Sequence, residues 1–222
     1  MSRDKTQLNK GEINYLISLN EEQKEVKRLI IDNQIVIVTG QAGSGKSLVC
    51  AQVALDLLMK KDFPEVTKIL NTRAMVEVGG ESMGFLPGDV KGKFGPYMDG
   101  FQENLEKCYK PEEIKKFIEE EKIQAYPVGF IRSKTVDDVL IVEEGQNMSQ
   151  IQMLSIITRL GKTGRIIING DNEQQDTPDV VNGLKFVIQM SKRLTKIKHI
   201  HLQSNHRSGL VKEILDYVNG KI

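Results

Sequence analysis

The feature that most constrains the fold is the stretch of residues 34–47, which reads QIVIVTGQAGSGKS. Its first part, residues 35–39, is an unbroken β-branched run, which is typical of a parallel strand buried on both faces. Residues 40–47 then match the phosphate-binding pattern G-x-x-x-x-G-K-[ST] at every fixed position. Apolar residues recur at helical spacing from Leu48 to Leu58. Strand, glycine-rich loop and helix therefore follow one another in the order that a phosphate-binding loop requires.

The chemistry of phosphate binding explains the residue types in this loop. Glycines let backbone N–H groups curl around a phosphate, and the N-terminus of the following helix adds partial positive charge. We expect Lys46 to reach the β- and γ-phosphates of a nucleotide, and the hydroxyl of Ser47 to ligate Mg²⁺. The residues predicted to bind ATP in the loop are Gly40, Gln41, Ala42, Gly43, Ser44, Gly45, Lys46 and Ser47.

The length and composition are those of one ordinary soluble domain. The chain has 222 residues, of which 39% are hydrophobic and 27% charged, so we expect a polar lead-in over residues 1–19 and one α/β domain over residues 20–222. No apolar run is long enough to span a bilayer and the N-terminus does not resemble a signal peptide, which predicts a cytoplasmic protein without membrane contact. Two cysteines without C-x-x-C spacing indicate neither disulfides nor zinc. A net charge of +1 neither supports nor excludes nucleic acid, because a local basic face is compatible with it.

Buried strand patterns alternate with helical patterns along most of the chain. This alternation predicts an α/β fold with a doubly wound parallel sheet, the RecA-like core of P-loop NTPases. Residues 74–127 interrupt it with glycines and prolines, and we interpret them as an insertion suited to specificity or partner contacts. The predicted strands are residues 66–72, 139–142, 165–169 and 197–202, and the predicted helices after the phosphate loop are residues 97–109, 111–121, 149–161, 180–194 and 209–218.

The helix that precedes the first strand opens with Asn20 and Gln23, and this pair has two interpretations. In the first, Asn20 caps the helix and Gln23 reaches back to a free backbone N–H, which is a capping box. In the second, Gln23 reads the adenine of a nucleotide bound at the loop downstream. The sequence does not decide between them.

Polar residues follow two of the predicted strands at the edge where parallel sheets bind ligands. Glu143 and Glu144 come directly after a buried apolar run, and we assign Glu143 to the Mg²⁺ shell and Glu144 to polarising the attacking water. Gln174 follows the next strand, and we interpret it as a sensor that touches the γ-phosphate or the water. Together with Lys46, these residues turn a binding loop into a predicted hydrolysis site.

With these residues in view, the chain resembles the PhoH-like P-loop ATPases, whose core is similar to the motor domain of superfamily-1 helicases. The resemblance implies ATP binding and hydrolysis, action on RNA or single-stranded DNA, and assembly into a homo-oligomeric ring such as a hexamer. It rests on the phosphate loop and on six further motifs: Thr72-Arg73, Gly84-Phe85-Leu86-Pro87-Gly88-Asp89, Phe130-Ile131-Arg132-Ser133-Lys134-Thr135, Glu143-Glu144-Gly145-Gln146-Asn147, Thr158-Arg159-Leu160-Gly161 and Gly170-Asp171-x-x-Gln174.

The sequence departs from this family at two places. The family usually has Asp-Glu-Ala-Gln-Asn where this chain has Glu143 and Gly145, and Arg-His where this chain has His206 followed by Arg207.

Transfer of a γ-phosphoryl group needs positive charge beyond Mg²⁺ and a lysine, which arginine supplies. We expect Arg207 or Arg132 to supply it from a neighbouring subunit.

Three functions remain open from the sequence. The first is an ATPase stimulated by nucleic acid that acts as a helicase-like motor. The second is a nucleotide-gated switch that binds a protein partner through the insertion. The third, a kinase for small molecules or nucleotides, is disfavoured because two adjacent acids suit the activation of water.

Overall fold

The computed structural model describes residues 13–74, 90–172, 174 and 182–204, together with residues 209, 210, 213 and 217; for residues 90–98 it describes the backbone alone. Six parallel strands form one sheet in the order β3-β2-β4-β5-β1-β6. This confirms the predicted doubly wound α/β class. The strands are β1 (Ile35–Gly40), β2 (Ile69–Arg73), β3 (Ile123–Ala125), β4 (Val139–Glu143), β5 (Arg165–Gly170) and β6 (Ile197–Leu202).

Helices cover both faces of the sheet. They are α1 (Glu21–Asp32), α2 (Lys46–Met59), α3 (Val90–Cys108), α4 (Pro111–Glu119), α5 (Val128–Ile131), α6 (Gln150–Ile157) and α7 (Gly183–Ser191). The first four helices pack on one face and the last three on the other, each layer closing its own apolar core. Within the described residues, no helix combines the length and the apolarity that crossing a membrane requires.

Strand β1 shows why the sheet is buried on both sides. Successive side chains of a strand point to opposite faces; Val36 and Val38 belong to the core beneath α1 and α2, and Ile37 belongs to the core beneath α6 and α7. All three are at most 1% exposed. Each buried side chain of this size stabilises the fold by roughly 1.5–3 kcal/mol, so a continuous β-branched run is what this central position requires.

The predicted elements differ from the observed ones mainly between β2 and β4. The predicted insertion contributes β3, a short edge strand that the sequence analysis did not identify, and α5 follows it directly. Strand β2 begins at Ile69 rather than at residue 66, and α6 and α7 are shorter than their predicted helices. The predicted closing helix, residues 209–218, falls largely outside the described residues.

The described residues that precede α1, 13–19, make contacts with the domain. Tyr15 donates a hydrogen bond of 2.8 Å from its hydroxyl to the Asp56 carboxylate on α2, and the backbone N–H of Leu16 donates to the Cys108 carbonyl at 2.9 Å. Asp56 is fully buried and also forms ion pairs with Lys27 and Lys60. Burial, and then the Asp56 charge, raise the pKa of Tyr15, so its hydroxyl stays protonated and remains a donor.

Replacing Tyr15 with phenylalanine should therefore destabilise the protein. The change removes one hydrogen bond to a buried carboxylate, and hydrogen bonds to charged groups contribute about 1.5–3 kcal/mol. Urea unfolding at neutral pH measures the loss. Tyr109→Phe is the matched control, because the Tyr109 ring packs edge-on against Tyr15 while its hydroxyl makes no hydrogen bond with any residue that the structure describes. Equal stability of the two variants would contradict the assigned role of the Tyr15 hydroxyl.

Candidate functional site

The phosphate loop between β1 and α2 has a backbone that requires glycine. Gly43 and Gly45 have φ angles of 87° and 81°, a left-handed conformation that side chains disfavour. A Cβ on Gly40 would lie 2.5 Å from the Ser44 hydroxyl oxygen. The loop can therefore fold back on the end of β1 only with glycine at these positions.

The polar groups of the loop converge on its interior. Ser44 donates its backbone N–H to the Gln41 carbonyl at 3.0 Å, and the ammonium of Lys46 donates to the same carbonyl at 3.5 Å. Lys46 is only 8% exposed, and the hydroxyl of Ser44 is buried without a hydrogen-bond partner among the described residues. A buried lysine and a buried hydroxyl without a partner are groups that a phosphate oxygen would satisfy.

The order of the sheet brings the predicted acids towards this loop. Strand β5 lies between β1 and β4, and α2 packs across both β5 and β4. Cys50 lies one turn into α2, and the pKa of its thiol responds both to Lys46 on the phosphate loop and to Glu143 on β4. Burial, and then the Glu143 charge, raise the pKa of its thiol to about 12, while Asn169 and Lys46 act in the opposite direction. The structure thus brings Lys46 and Glu143 into one electrostatic environment.

Glu143 ends β4 as a buried carboxylate, 7% exposed. Burial is the main cause that raises its pKa, and Glu144 adds to it, while Asn71, Arg73 and Asn169 lower it. The amide nitrogens of Asn71 and Asn169 approach the carboxylate, yet neither makes a hydrogen bond of standard geometry with a described residue. The charge of Glu143 is therefore incompletely compensated, and a bound cation would compensate it.

The donor set fits Mg²⁺ in its usual protein environment. Mg²⁺ takes oxygen ligands and is held by one or two protein groups plus phosphates and water, which the Ser47 hydroxyl and the Glu143 carboxylate can provide. Among the described residues, no group of three or more His, Cys, Asp or Glu side chains could hold a metal ion by itself. The site fits an ion that arrives with a nucleotide.

Glu144 has a left-handed backbone, with φ of 52° and ψ of 45°. This conformation is costly for a residue with a side chain, on the order of 1–2 kcal/mol. A short 3₁₀ helix, Gly145–Asn147, follows at once, and Asn147 donates its backbone N–H to the Glu144 carbonyl at 2.9 Å. The strained turn changes the direction of the chain where β4 ends. Glu143 therefore keeps the extended backbone of the strand, whereas Glu144 belongs to the turn.

Gln146, which was not among the predicted site residues, contacts the ends of both β4 and β5. Its amide nitrogen donates to a Glu144 carboxylate oxygen at 2.5 Å and to the Gln174 carbonyl at 3.0 Å. Its amide oxygen accepts the backbone N–H of Asp171 at 3.0 Å. A Cβ on Gly170 would lie 2.5 Å from this oxygen, so the glycine makes room for the contact. The sequence signals for Gln146 were its position two residues after the acid pair and its place in the motif of residues 143–147.

The remaining predicted residues have different outcomes. The side chain of Asn20 accepts from the backbone of Gln23, and the Gln23 side chain accepts from the backbone of Asn20, so the capping box is present; adenine reading by Gln23 stays a prediction. Gln174 is exposed and contacts the site through its carbonyl, and its sensor role also stays a prediction. Arg207 lies outside the described residues, whereas Arg132 is exposed beyond α5.

This fold and this loop define the class of P-loop NTPases. Comparison of the sequence with known families gives a more specific result: the family model described as "PhoH-like protein" matches residues 15–219. The chain belongs to the PhoH-like protein family. The resemblance that the motifs indicated is thereby confirmed.

Individual relatives agree with this assignment. The PhoH-like protein of Bacillus subtilis is 34% identical over 198 residues, which are 87% of this chain and 61% of that protein. Protein PhoH of Escherichia coli is 33% identical, over 78% of this chain and 49% of its own length. This chain therefore spans about half to three-fifths of the length of these relatives. Among solved structures, the large terminase of bacteriophage HK97 shares the fold, with a TM-score of 0.56 and 11% identity over 93% of this chain and 48% of that one.

Removing the charge of Glu143 should stabilise the protein in the absence of ligands. Because burial raises the pKa of Glu143 above its value in the unfolded chain, ionisation opposes folding at neutral pH, and this opposition is lost as the pH falls towards the unfolded pKa. Glu143→Gln should therefore raise the melting temperature at about pH 7.5 and raise it less at about pH 5.

The control for this change is Glu103→Gln on α3, which removes an exposed charge paired with Lys107. It should not show the same dependence on pH. Adding ATP and Mg²⁺ should raise the melting temperature of the original protein more than that of Glu143→Gln. A Glu143→Gln protein that is no more stable at neutral pH than the original would refute the assigned environment of this carboxylate.

Proposed function

We propose that this protein binds ATP with Mg²⁺, hydrolyses it, and uses the energy to act on RNA or single-stranded DNA as a helicase-like motor. One observation carries the hydrolysis part of this proposal. A buried, incompletely compensated Glu143 and a strained Glu144 stand at the same edge of the sheet as a phosphate loop, and Gln146 connects them to the end of β5. A loop that only bound nucleotide would not need this arrangement.

ATP binding is supported by the loop itself. Its backbone N–H groups, the Lys46 ammonium and the N-terminus of α2 form a positive cradle for phosphates. The large terminase of a thermophilic bacteriophage, which has a TM-score of 0.53 and 11% identity over 90% of this chain and 50% of that one, was solved in complex with ADP. The fold of that protein accommodates a nucleotide, and the loop sequence here contains every residue type that phosphate binding requires.

Ser47 and Glu143 are the residues that would hold Mg²⁺. Bound there with ATP, the ion supplies positive charge to the phosphate oxygens as the γ-phosphoryl group is transferred. Lys46 would hold the same phosphates through its ammonium group. Burial of Lys46 and Glu143 excludes water from these contacts, which strengthens their electrostatic effect.

Glu144 is the proposed general base that polarises the attacking water. Its carboxylate accepts a hydrogen bond from Gln146, which fixes its orientation. A carboxylate held within reach of a water molecule can accept a proton from it. Gln146 also contacts the Gln174 carbonyl and the Asp171 N–H. If the γ-phosphate displaced Gln174, Gln146 would move with it and the Glu144 carboxylate would change position. This coupling suits the proposed role of Gln174 as a sensor.

A further positive charge would come from a neighbouring copy in a homo-oligomer. Arg132 is exposed and is therefore available to another subunit. Arg207 is the other candidate.

Replacing Glu144 with glutamine should abolish ATP turnover and retain ATP binding. The amide keeps the size of the side chain and loses the ability to accept a proton, so turnover should fall by about 100-fold or more, while binding of a fluorescent ATP analogue stays within about threefold of the original. Lys46→Ala is the contrasting variant, in which binding itself should weaken. Full turnover by Glu144→Gln would overturn the assignment of the base.

Single-stranded RNA or DNA should increase the rate of ATP hydrolysis if the motor proposal is correct. The stimulation should weaken steeply as salt is raised, because contacts with phosphates release counterions. Steady-state ATP turnover with and without oligonucleotides at two salt concentrations measures it, and Glu144→Gln serves as the inactive control. Unchanged turnover together with no salt-sensitive binding would favour a nucleotide-gated switch that binds a protein partner.

A further inference from the structure

The two faces of the sheet differ in charge. Residues 122–136, 145–170 and 182–204, which include α5, α6 and α7, contain no aspartate or glutamate. By contrast, residues 99–121 on the other face contain eight acidic and four basic residues. The net charge of +1 thus averages a basic side and an acidic side.

We call the exposed positive side chains of the α5, α6 and α7 layer the basic face. None of them forms an ion pair with any residue in the described part of the chain, whereas on the other face Lys24 pairs with Glu21 and Lys107 with Glu103. The positive charge of the basic face is therefore available to an outside partner. Its members are Arg132, Lys134, Arg159, Lys162, Lys185, Lys192, Arg193 and Lys196.

Helix dipoles explain only part of this arrangement. Seven of the eight side chains follow the C-termini of α5, α6 and α7, where cations interact favourably with the partial negative charge of the helix end. The dipole does not explain why residues 122–136, 145–170 and 182–204 lack acidic residues, although the exposed Asp137 lies beside Gly161 at this edge. The helix dipole also does not explain why apolar side chains are exposed in the same layer.

Exposed apolar side chains lie in the same helix layer as the basic ones, with Ile151 at the opposite end of α6 from Arg159. Phe130 is 51% exposed on α5, Ile151 and Leu154 are 73% and 44% exposed on α6, and Leu194 is 51% exposed just beyond α7. The helices pack side by side, α5 against α6 and α6 against α7. A surface with unpaired positive charge and exposed apolar groups suits a partner that offers negative charge and apolar faces together.

The basic face lies away from the nucleotide site. Each helix of this layer returns the chain to the amino ends of the strands, so most of the basic side chains lie near that edge of the sheet. Lys46 and Glu143 lie at the carboxyl ends. A partner on the basic face would therefore leave the phosphate loop accessible.

We propose that the basic face binds single-stranded nucleic acid, with the basic side chains contacting phosphates and Phe130 and its apolar neighbours contacting unstacked bases. This inference rests on the proposed function and adds the surface that holds the polynucleotide. A polynucleotide offers uniform negative charge, which matches a layer in which eight exposed basic side chains outnumber the neighbouring acid Asp137. The acidic side of a second copy of this chain matches less well, because lysines are interspersed there, as in the sequence KPEEIKKFIEEEK of residues 110–122.

The test reverses three charges of the basic face that have no part in the nucleotide site: Lys162→Glu, Arg193→Glu and Lys196→Glu in one protein. Binding to fluorescent single-stranded RNA and DNA oligonucleotides should weaken by about tenfold or more. The slope of log K against log salt concentration should become less steep by about 0.7 for each lost phosphate contact. ATP turnover without nucleic acid should not change. The same three positions changed to glutamine should also weaken binding, and that variant avoids placing acids at helix C-termini.

The matched control reverses three exposed lysines on the other face: Lys110→Glu, Lys115→Glu and Lys116→Glu. It changes the net charge equally and should bind as the original protein does. Equal weakening in the control, or unchanged binding in both basic-face variants, would overturn the inference while leaving the motor proposal intact. No binding by the original protein would remove both, although the Glu144→Gln result on hydrolysis would still stand. Loss of self-association in the basic-face variant, with oligonucleotide binding unchanged, would assign this surface to a second copy and refute the inference.

Discussion

The carboxamide of Gln146 is the contact on which the geometry of the site depends. Strands β4 and β5 are neighbours, but their polar ends leave the sheet as separate loops, and hydrogen bonds within the sheet do not fix those loops relative to each other. Gln146 does so by donating to Glu144 and to the Gln174 carbonyl while accepting from Asp171. The contact depends in turn on Gly170, because a side chain there would occupy the position of the amide oxygen. Gln146 and Gly170, which carry no ionisable groups, thus determine where the Glu144 carboxylate lies.

The electrostatics of the site oppose folding when no ligand is present. Glu143 is buried with amides that do not complete its hydrogen bonding, and Glu144 next to it holds a strained conformation. Such strain and desolvation persist only where the surrounding structure enforces them, and here the enforcement comes from the apolar cores on both faces of the central strands. A cation bound with a nucleotide would offset the cost of burying the Glu143 charge, which links the occupancy of the site to its stability.

The elements best predicted from the sequence were those with strong periodic or positional signals. The β-branched runs of β1, β4 and β5 and the fixed pattern of the phosphate loop predicted these elements well, and the loop then indicated the edge of the sheet at which Glu143 should lie. Strand β3 was missed because three residues carry no measurable alternation, and its place in the sheet depends on pairing with β2. The role of Gln146 was missed because it depends on contacts with residues 25 and 28 positions further along the chain, which no local pattern reveals.

The asymmetry of charge between the two faces shows how a single total can mislead. A net charge of +1 is uninformative because the acid-rich residues 99–121 and the basic residues that follow them cancel in the total, although they lie on different faces of the sheet. The crossover connections of a doubly wound sheet produce this separation, since α1 to α4 fall on one face and α5 to α7 on the other. They also place the basic helix ends at the edge opposite the phosphate loop. A ligand on that surface could influence hydrolysis only through the strands themselves, and β4 and β5, which end at Glu143 and beside Gln146, are the elements that connect the two edges.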